Sequence, residues 1–418
     1  MKNENGINPQ TAQSENTSSN AVPSMLQLAW AFLIIGLTAY SVAMLQQLKT
    51  LIVGRKWLSQ KEMDEGLAMV QLYPGPIMFN LATYAAYRIK GFGGALIATF
   101  LFVLPSYLLM LLLSWLYLGY GNVGWVHPLF IALEAMVVGI IVHISIDFSK
   151  RYVQDGKTAF LAGIAFILML YKINAFWLIM LAMVLGITLF WRDKMGTDSK
   201  NNVETETAPI PGKWQWRLAA NILSGSVFIA LMVLGLLWKS ESGVLLLSMF
   251  KVGAVAFGNG MTIMPLLQQE AVMSHHWLTM KQFADGIAFG QITPGPFLIT
   301  ATFIGYKVSG LTGSLLATVG MFYPSFFYTI VMSELYEKIK KNMLIQKALK
   351  GILAAFTGML FFVVLSLGTI SLVSPAAYIW AVSALIAVRY FQLNILWIFL
   401  IGIGAESALF LAGFPILS

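Results

Sequence analysis

The chain has 418 residues, of which 58% are apolar and only 11% charged, and its mean hydropathy is +0.77. An ordinary soluble domain carries roughly 25% charged residues, so this composition excludes one and marks an all-α polytopic membrane protein. There is no cysteine, which excludes a disulfide framework, a thiolate metal site and a thiol redox centre. The formal charge of +8 is read as an excess of Lys and Arg in cytoplasmic loops, not as a nucleic-acid surface.

Residues 1–24 are rich in Asn, Ser, Thr and Gln and read as a disordered polar tail. They lack the basic start, apolar run and cleavage site of a signal peptide. Apolar runs follow near 25–45, 66–88, 92–118, 128–147, 158–171 and 173–191. A polar loop from Arg192 to Lys213 and one unpaired run near 217–238 come next. The remaining runs lie near 243–264, 284–306, 310–334, 345–368, 371–388 and 394–415. The expected organisation is a tail (1–24), a first membrane half (25–191), a loop with one linking span (192–242) and a second half (243–418), about 13 membrane segments in all.

The two halves carry the same unusual text. Residues 71–76 read QLYPGP and residues 291–296 read QITPGP, and closely matching sequence runs from each to Pro105-Ser106 and Pro324-Ser325. One extra residue between Pro76 and Ala82 is the only length change. Prolines lack the N–H and clash with the preceding turn, so neither element continues a helix. Such breaks at membrane depth persist where protein or a watery cavity satisfies the freed carbonyls, and paired breaks point to a transporter's binding site.

Charge suggests how the halves sit. The loop GYGNVGWVHP has no Lys or Arg, while its second-half counterpart carries Lys338, Lys340, Lys341, Lys347 and Lys350. In the next loop the contrast reverses, with Lys150, Arg151 and Lys157 in the first half. Opposite bias in equivalent loops is expected of inverted repeats. The tally of basic residues favours thirteen spans over eleven and a cytoplasmic N-terminus. Against it stand Lys49, Arg55, Lys56 and Lys61, for which an interfacial amphipathic segment at 46–62, anchored by Trp57 and Leu58, is expected.

Helix halves starting after Pro76 and Pro296 present unpaired N–H groups and a positive dipole end, which favour an anion. The expected substrate site is therefore Gln71, Pro74, Gly75, Pro76 and Thr83 with Gln291, Pro294, Gly295, Pro296 and Thr302. The competing reading is that Gln and Thr bond the freed carbonyls; duplication of the whole unit favours a site. Arg88 and Lys307 match between halves and either raise local anion concentration or snorkel from helix ends, the second being preferred. Glu65 and Asp285 also match, and capping is preferred to binding a coupling proton. Gly258, Asn259 and Gly260 interrupt a second-half run; either they allow tight helix packing or they form another broken helix in the site, and the amide of Asn259 favours the second.

These elements resemble the chromate ion transporter (CHR) family, two-domain type, over nearly the whole chain beyond residue 25. The resemblance rests on Phe257 to Gly260, Gln291 to Pro296 and Gly310 to Pro324 in the second half, and on Gln71 to Pro76 and Gly91 to Pro105 in the first. The family's first-half glycine cluster is here TAYS, and its FGGG element contains Asn259. The resemblance implies a multi-pass plasma-membrane exporter of chromate that confers resistance. Chromate and sulfate are both tetrahedral dianions, and the sequence does not separate them.

No phosphate loop, HExxH, serine-nucleophile motif or dinucleotide fingerprint is present, so an enzyme is not expected. The driving force is then a membrane potential or ion gradient. An anion channel, or a membrane enzyme or lipid-handling protein on this scaffold, is the alternative. Expected partners are the oxyanion and the bilayer, with no nucleic acid, no metal and no cofactor; a homodimer is left open.

Overall fold

A computed structural model of the protein describes residues 22–38, 41–120, 127–193, 214–257, 262–339 and 342–411, and the regular structure in them is helical. The tail, most of the 192–213 loop and Gly258, Asn259 and Gly260 lie outside the described residues. The first half comprises α1 (Met25–Thr38), α2 (Ser41–Gly54), α3 (Gln60–Val70), α4 (Ile77–Tyr120), α5 (His127–Tyr152), α6 (Gly156–Leu170) and α7 (Ala175–Leu189). The linking helix is α8 (Trp214–Leu237). The second half repeats the order as α9 (Glu241–Val255), α10 (Ile263–Gln268), α11 (Met280–Ile292), α12 (Thr300–Ile339), α13 (Met343–Ser371), α14 (Pro375–Arg389) and α15 (Ile395–Leu411). Among the described residues, five helical stretches are long and apolar enough to cross a membrane: Ile77–Tyr120, Leu129–Tyr152, Trp214–Leu237, Phe297–Tyr336 and Met343–Ser371.

Two of these stretches are folded back on themselves. Within α4, Gly91 has φ 66°, and within α12, Gly310 has φ 58°, a left-handed conformation that costs glycine little. The Thr83 and Thr99 hydroxyls are 3.3 Å apart, and those of Thr302 and Thr318 are 2.7 Å apart, although each pair is separated by 16 residues. A straight helix would hold such residues about 24 Å apart. Each long helix is therefore two arms packed side by side.

The first arm of each pairs in turn with the helix before it. Arg88, near the end of the first arm of α4, lies 3.3 Å from Glu62 at the start of α3, and Tyr84 packs over Gly66. In the second half Phe303 packs over Gly286, and Thr300 meets Gly290. The Pro-Gly-Pro elements are thus the tips of antiparallel helical hairpins, so the 66–88 run is two arms and not one continuous helix. Matching capping boxes start both hairpins, Ser59 with Glu62 and Thr279 with Gln282.

The halves interlock through equivalent residues. A Cβ on Gly139 (α5) would run into the backbone carbonyl of Ala381 (α14), and one on Gly358 (α13) into that of Ala162 (α6). Gly36 and Gly253 play matching roles within each half, against the carbonyls of Phe102 and Met321. The C-terminal end of α5 lies at the N-terminal end of α13, where Asp155 and Lys350 are 2.7 Å apart. Trp57 and Leu58 are buried in the core, so the expected interfacial anchor is not formed. Arg55 stacks on Trp57 instead, and Lys49 pairs with Asp64.

Candidate functional site

Each hairpin tip meets a serine from the other half. Gly75 has φ 136° and Gly295 φ 100°, values open to glycine, and both prolines of each tip lie beyond the helix that precedes them. The hydroxyl of Ser106 donates to the carbonyl of Pro294 at 2.5 Å. Its equivalent, Ser325, lies against the other tip, where a Cβ on Gly75 would be 2.8 Å from Ser325 Oγ and 2.7 Å from Asn80 Oδ1. The Gly75 amide donates to the Ala256 carbonyl, just before the 258–260 segment, and Tyr73 donates to Thr329 at 2.9 Å.

The first tip differs from the second in its unsatisfied groups. Asn80 and Ser325 are fully buried, and the Asn80 Nδ2, Asn80 Oδ1 and Ser325 Oγ atoms have no hydrogen-bond partner. A buried amide or hydroxyl without a partner costs about 1–3 kcal/mol, so such a cluster is retained where something else supplies the bonds. Asn80 stands in the first turn of α4, whose first N–H groups follow Pro76, and Ser325 reaches that tip from α12. The arrangement offers neutral donors and a helix dipole to an anion.

The remaining expected site residues are distributed unevenly. Pro74, Gly75 and Pro76, and Pro294, Gly295 and Pro296, form the two tips. Gln291 is buried on the second, whereas Gln71 is exposed at the end of α3. Thr83 and Thr302 face the second arm of their own long helix, through Thr99 in α4 and Thr318 in α12, and Thr83 also donates to the Phe79 carbonyl at 2.8 Å. They join arms and do not line the tips.

Three electrostatic expectations are corrected. Arg88 does not snorkel; it is buried against Glu62. Lys307 is exposed, and the residue equivalent to Glu62 is the neutral Gln282, so the ion pair exists in one half only. Glu65 and Asp285 do not cap their helices, because Ser59 with Glu62 and Thr279 with Gln282 do so. Glu65 is half-buried in the middle of α3. Asp285 is buried and accepts a 2.6 Å hydrogen bond from Tyr117.

Sequence reasoning missed Ser106, Ser325 and Asn80. The serines were visible as the shared end of the duplicated text, but nothing in one dimension tells that each crosses to the opposite tip. Asn80 lies in the one-residue insertion, where the alignment of the halves breaks.

A helical membrane protein of two repeated halves, each with a broken hairpin meeting the other, is built as a transporter. The family described as Chromate transporter matches residues 26–187 and 243–406, and the chain belongs to that family. It is 30% identical to the chromate transport protein of Cupriavidus metallidurans over 92% of this chain and 93% of that one. It is 31% identical to a probable chromate transport protein of Synechococcus elongatus, covering 87% and 90%. An uncharacterised transporter of Methanocaldococcus jannaschii is also 31% identical, covering 81% and 83%. No solved structure matches the chain.

Proposed function

We propose that the protein exports a small oxyanion, chromate or a similar tetrahedral dianion, bound at the first hairpin tip and released by movement of the two tips against each other. The observation that carries this reading is the buried, unpartnered pair Asn80 and Ser325 beside Gly75. Pro74, Gly75 and Pro76 form the backbone of the site. Gln291 and the Pro294-Gly295-Pro296 tip stand across the interface, held by Ser106. Ala256, whose carbonyl holds Gly75, bounds the described part of the proposed site, and the expected contributors Gly258, Asn259 and Gly260 lie outside the described residues.

The halves are read as inverted repeats. Equivalent helices α5 and α13 bring opposite ends together at Asp155 and Lys350, and that end also gathers Lys150, Arg151, Lys157 and Lys347. By the positive-inside rule it is cytoplasmic, as is the N-terminus. Export of a dianion is favoured by an inside-negative potential, at about 2.3 kcal/mol per charge per 100 mV.

The test is radiolabelled chromate flux into proteoliposomes with an imposed potential and with sulfate as competitor. Saturable flux is expected. Asn80→Ala and Ser325→Ala are expected to weaken apparent affinity about tenfold or more, as for loss of a hydrogen bond to a charged group. Flux that ignores both substitutions, or that gives unitary channel currents, overturns the carrier site.

A further inference from the structure

Asp285 belongs to a second polar site, beside the second hairpin and remote in sequence from Asn80. Its Oδ2 accepts from Tyr117 on α4, and its Oδ1 is buried with no hydrogen-bond partner. Glu134 approaches from α5, 3% exposed, and its Oε1 is also without a hydrogen bond, 3.7 Å from Lys281 Nζ. The groups facing Asp285 are thus Tyr117 from α4, Glu134 from α5, and Lys281 one turn earlier on α11. Phe130, Phe289 and Phe303 pack around the Tyr117 ring and make the surroundings apolar.

Two ionised carboxylates with one lysine leave a net negative charge in that setting, and each carries a buried oxygen with no hydrogen-bond partner. Like charges buried together disfavour the doubly ionised state, so one proton divided between them is the economical arrangement. Ionisable side chains at membrane depth commonly serve proton relays.

We propose that Asp285 and Glu134 bind one proton that is taken up and released in each transport cycle, coupling proton movement to the oxyanion. This rests on the transporter reading above. The coupling route is short. Asp285 lies six residues before Gln291 on the helix that ends at the second tip, about 9 Å along its axis. Tyr117 is on the arm of α4 that carries Ser106, the residue bonded to Pro294 at that tip. Loss or gain of the Tyr117 bond therefore acts on both elements that hold the tip. The residue equivalent to Glu134 in the second half is Leu353, so the pair occurs once in the repeat.

The full-length protein in proteoliposomes, with the potential clamped and a pH-sensitive dye inside, decides the matter. Chromate or sulfate addition is expected to drive dye-reported proton movement, and a pH gradient alone is expected to drive anion flux. Asp285→Asn and Glu134→Gln are each expected to lower proton movement at least tenfold while anion–anion exchange persists. Anion flux in the unsubstituted protein with no proton movement overturns the proton site alone, whatever the variants' folding. Variants that keep unchanged proton coupling overturn it as well. No flux of either anion overturns the transporter reading and the coupling together.

Discussion

Ser106 in the first half and Pro294 in the second are joined by a 2.5 Å hydrogen bond, whereas the equivalent Ser325 reaches Gly75 without making one. A proline break frees carbonyls that must be satisfied away from water, and one tip is satisfied by the opposite half. Ser106→Ala removes that partner and is expected to cost about 1–3 kcal/mol, read as a lower midpoint of thermal unfolding in detergent. Ser325→Ala loses no bond within the protein, so its midpoint should hold or rise while flux falls. Equal destabilisation by the two would reduce Ser325 to a packing residue.

The helix crossings at Gly139 and Gly358 admit no side chain, since a Cβ at either meets a backbone carbonyl. Gly139→Ala and Gly358→Ala must push helices of opposite halves apart, and each is expected to destabilise by about 1–3 kcal/mol. Gly163→Ala, on α6 with nothing near its Cβ, is the control and should gain roughly 0.5–1 kcal/mol from helix propensity. Thermal unfolding of the three purified variants checks the ordering.

The sequence made the repeat legible because Pro-Gly-Pro is rare at membrane depth and its duplication is not masked by composition. It did not show the hairpins. An apolar run such as 66–88 has the same hydropathy whether it crosses once or turns at Pro74-Gly75-Pro76. Contacts such as Thr83 with Thr99 are needed to tell the two apart. The capping reading of Asp285 failed for a related reason. A lone carboxylate near a helix start fits a cap by spacing, and only the packing of α4 and α5 brings Tyr117 and Glu134 to it.

The ion pair of Glu62 with Arg88 has no counterpart in the second half, where Gln282 stands in the capping box and Lys307 is exposed. Glu62→Gln keeps a residue able to cap, as Gln282 does, and removes only the charge. Removing the Glu62 charge from buried Arg88 is expected to destabilise the protein by at most about 3–5 kcal/mol, and by less to the extent that the other contacts of Arg88 hold it. Glu62→Gln with Arg88→Gln should recover part of that loss. A double variant as unstable as the single one would mean that Arg88 is held chiefly by its other contacts. The double-mutant cycle, read by chemical or thermal unfolding, separates these outcomes.

Asp155 and Lys350 tie the start of α6 to α13 at the basic end of the protein. Burial works against the Asp155 charge, but the bonds from Lys350 and Thr158 outweigh it and bring the carboxyl from 3.8 down to about 2. A lowered folded value stabilises above the unfolded pKa, so this contribution is present above about pH 4 and is lost as pH falls toward 2. Asp155→Asn keeps a capping side chain, and its small stability deficit should be constant near neutrality and vanish below about pH 2. The same pair reports topology. The chain has no native cysteine, so single Asp155→Cys and Lys350→Cys variants can be labelled in intact cells without background. Inverted halves with this end cytoplasmic require both thiols to be shielded from an impermeant reagent outside and to react after permeabilisation. Labelling of one from each side would contradict the antiparallel relation of α5 and α13, and labelling of both from outside would reverse the orientation while leaving the inversion intact.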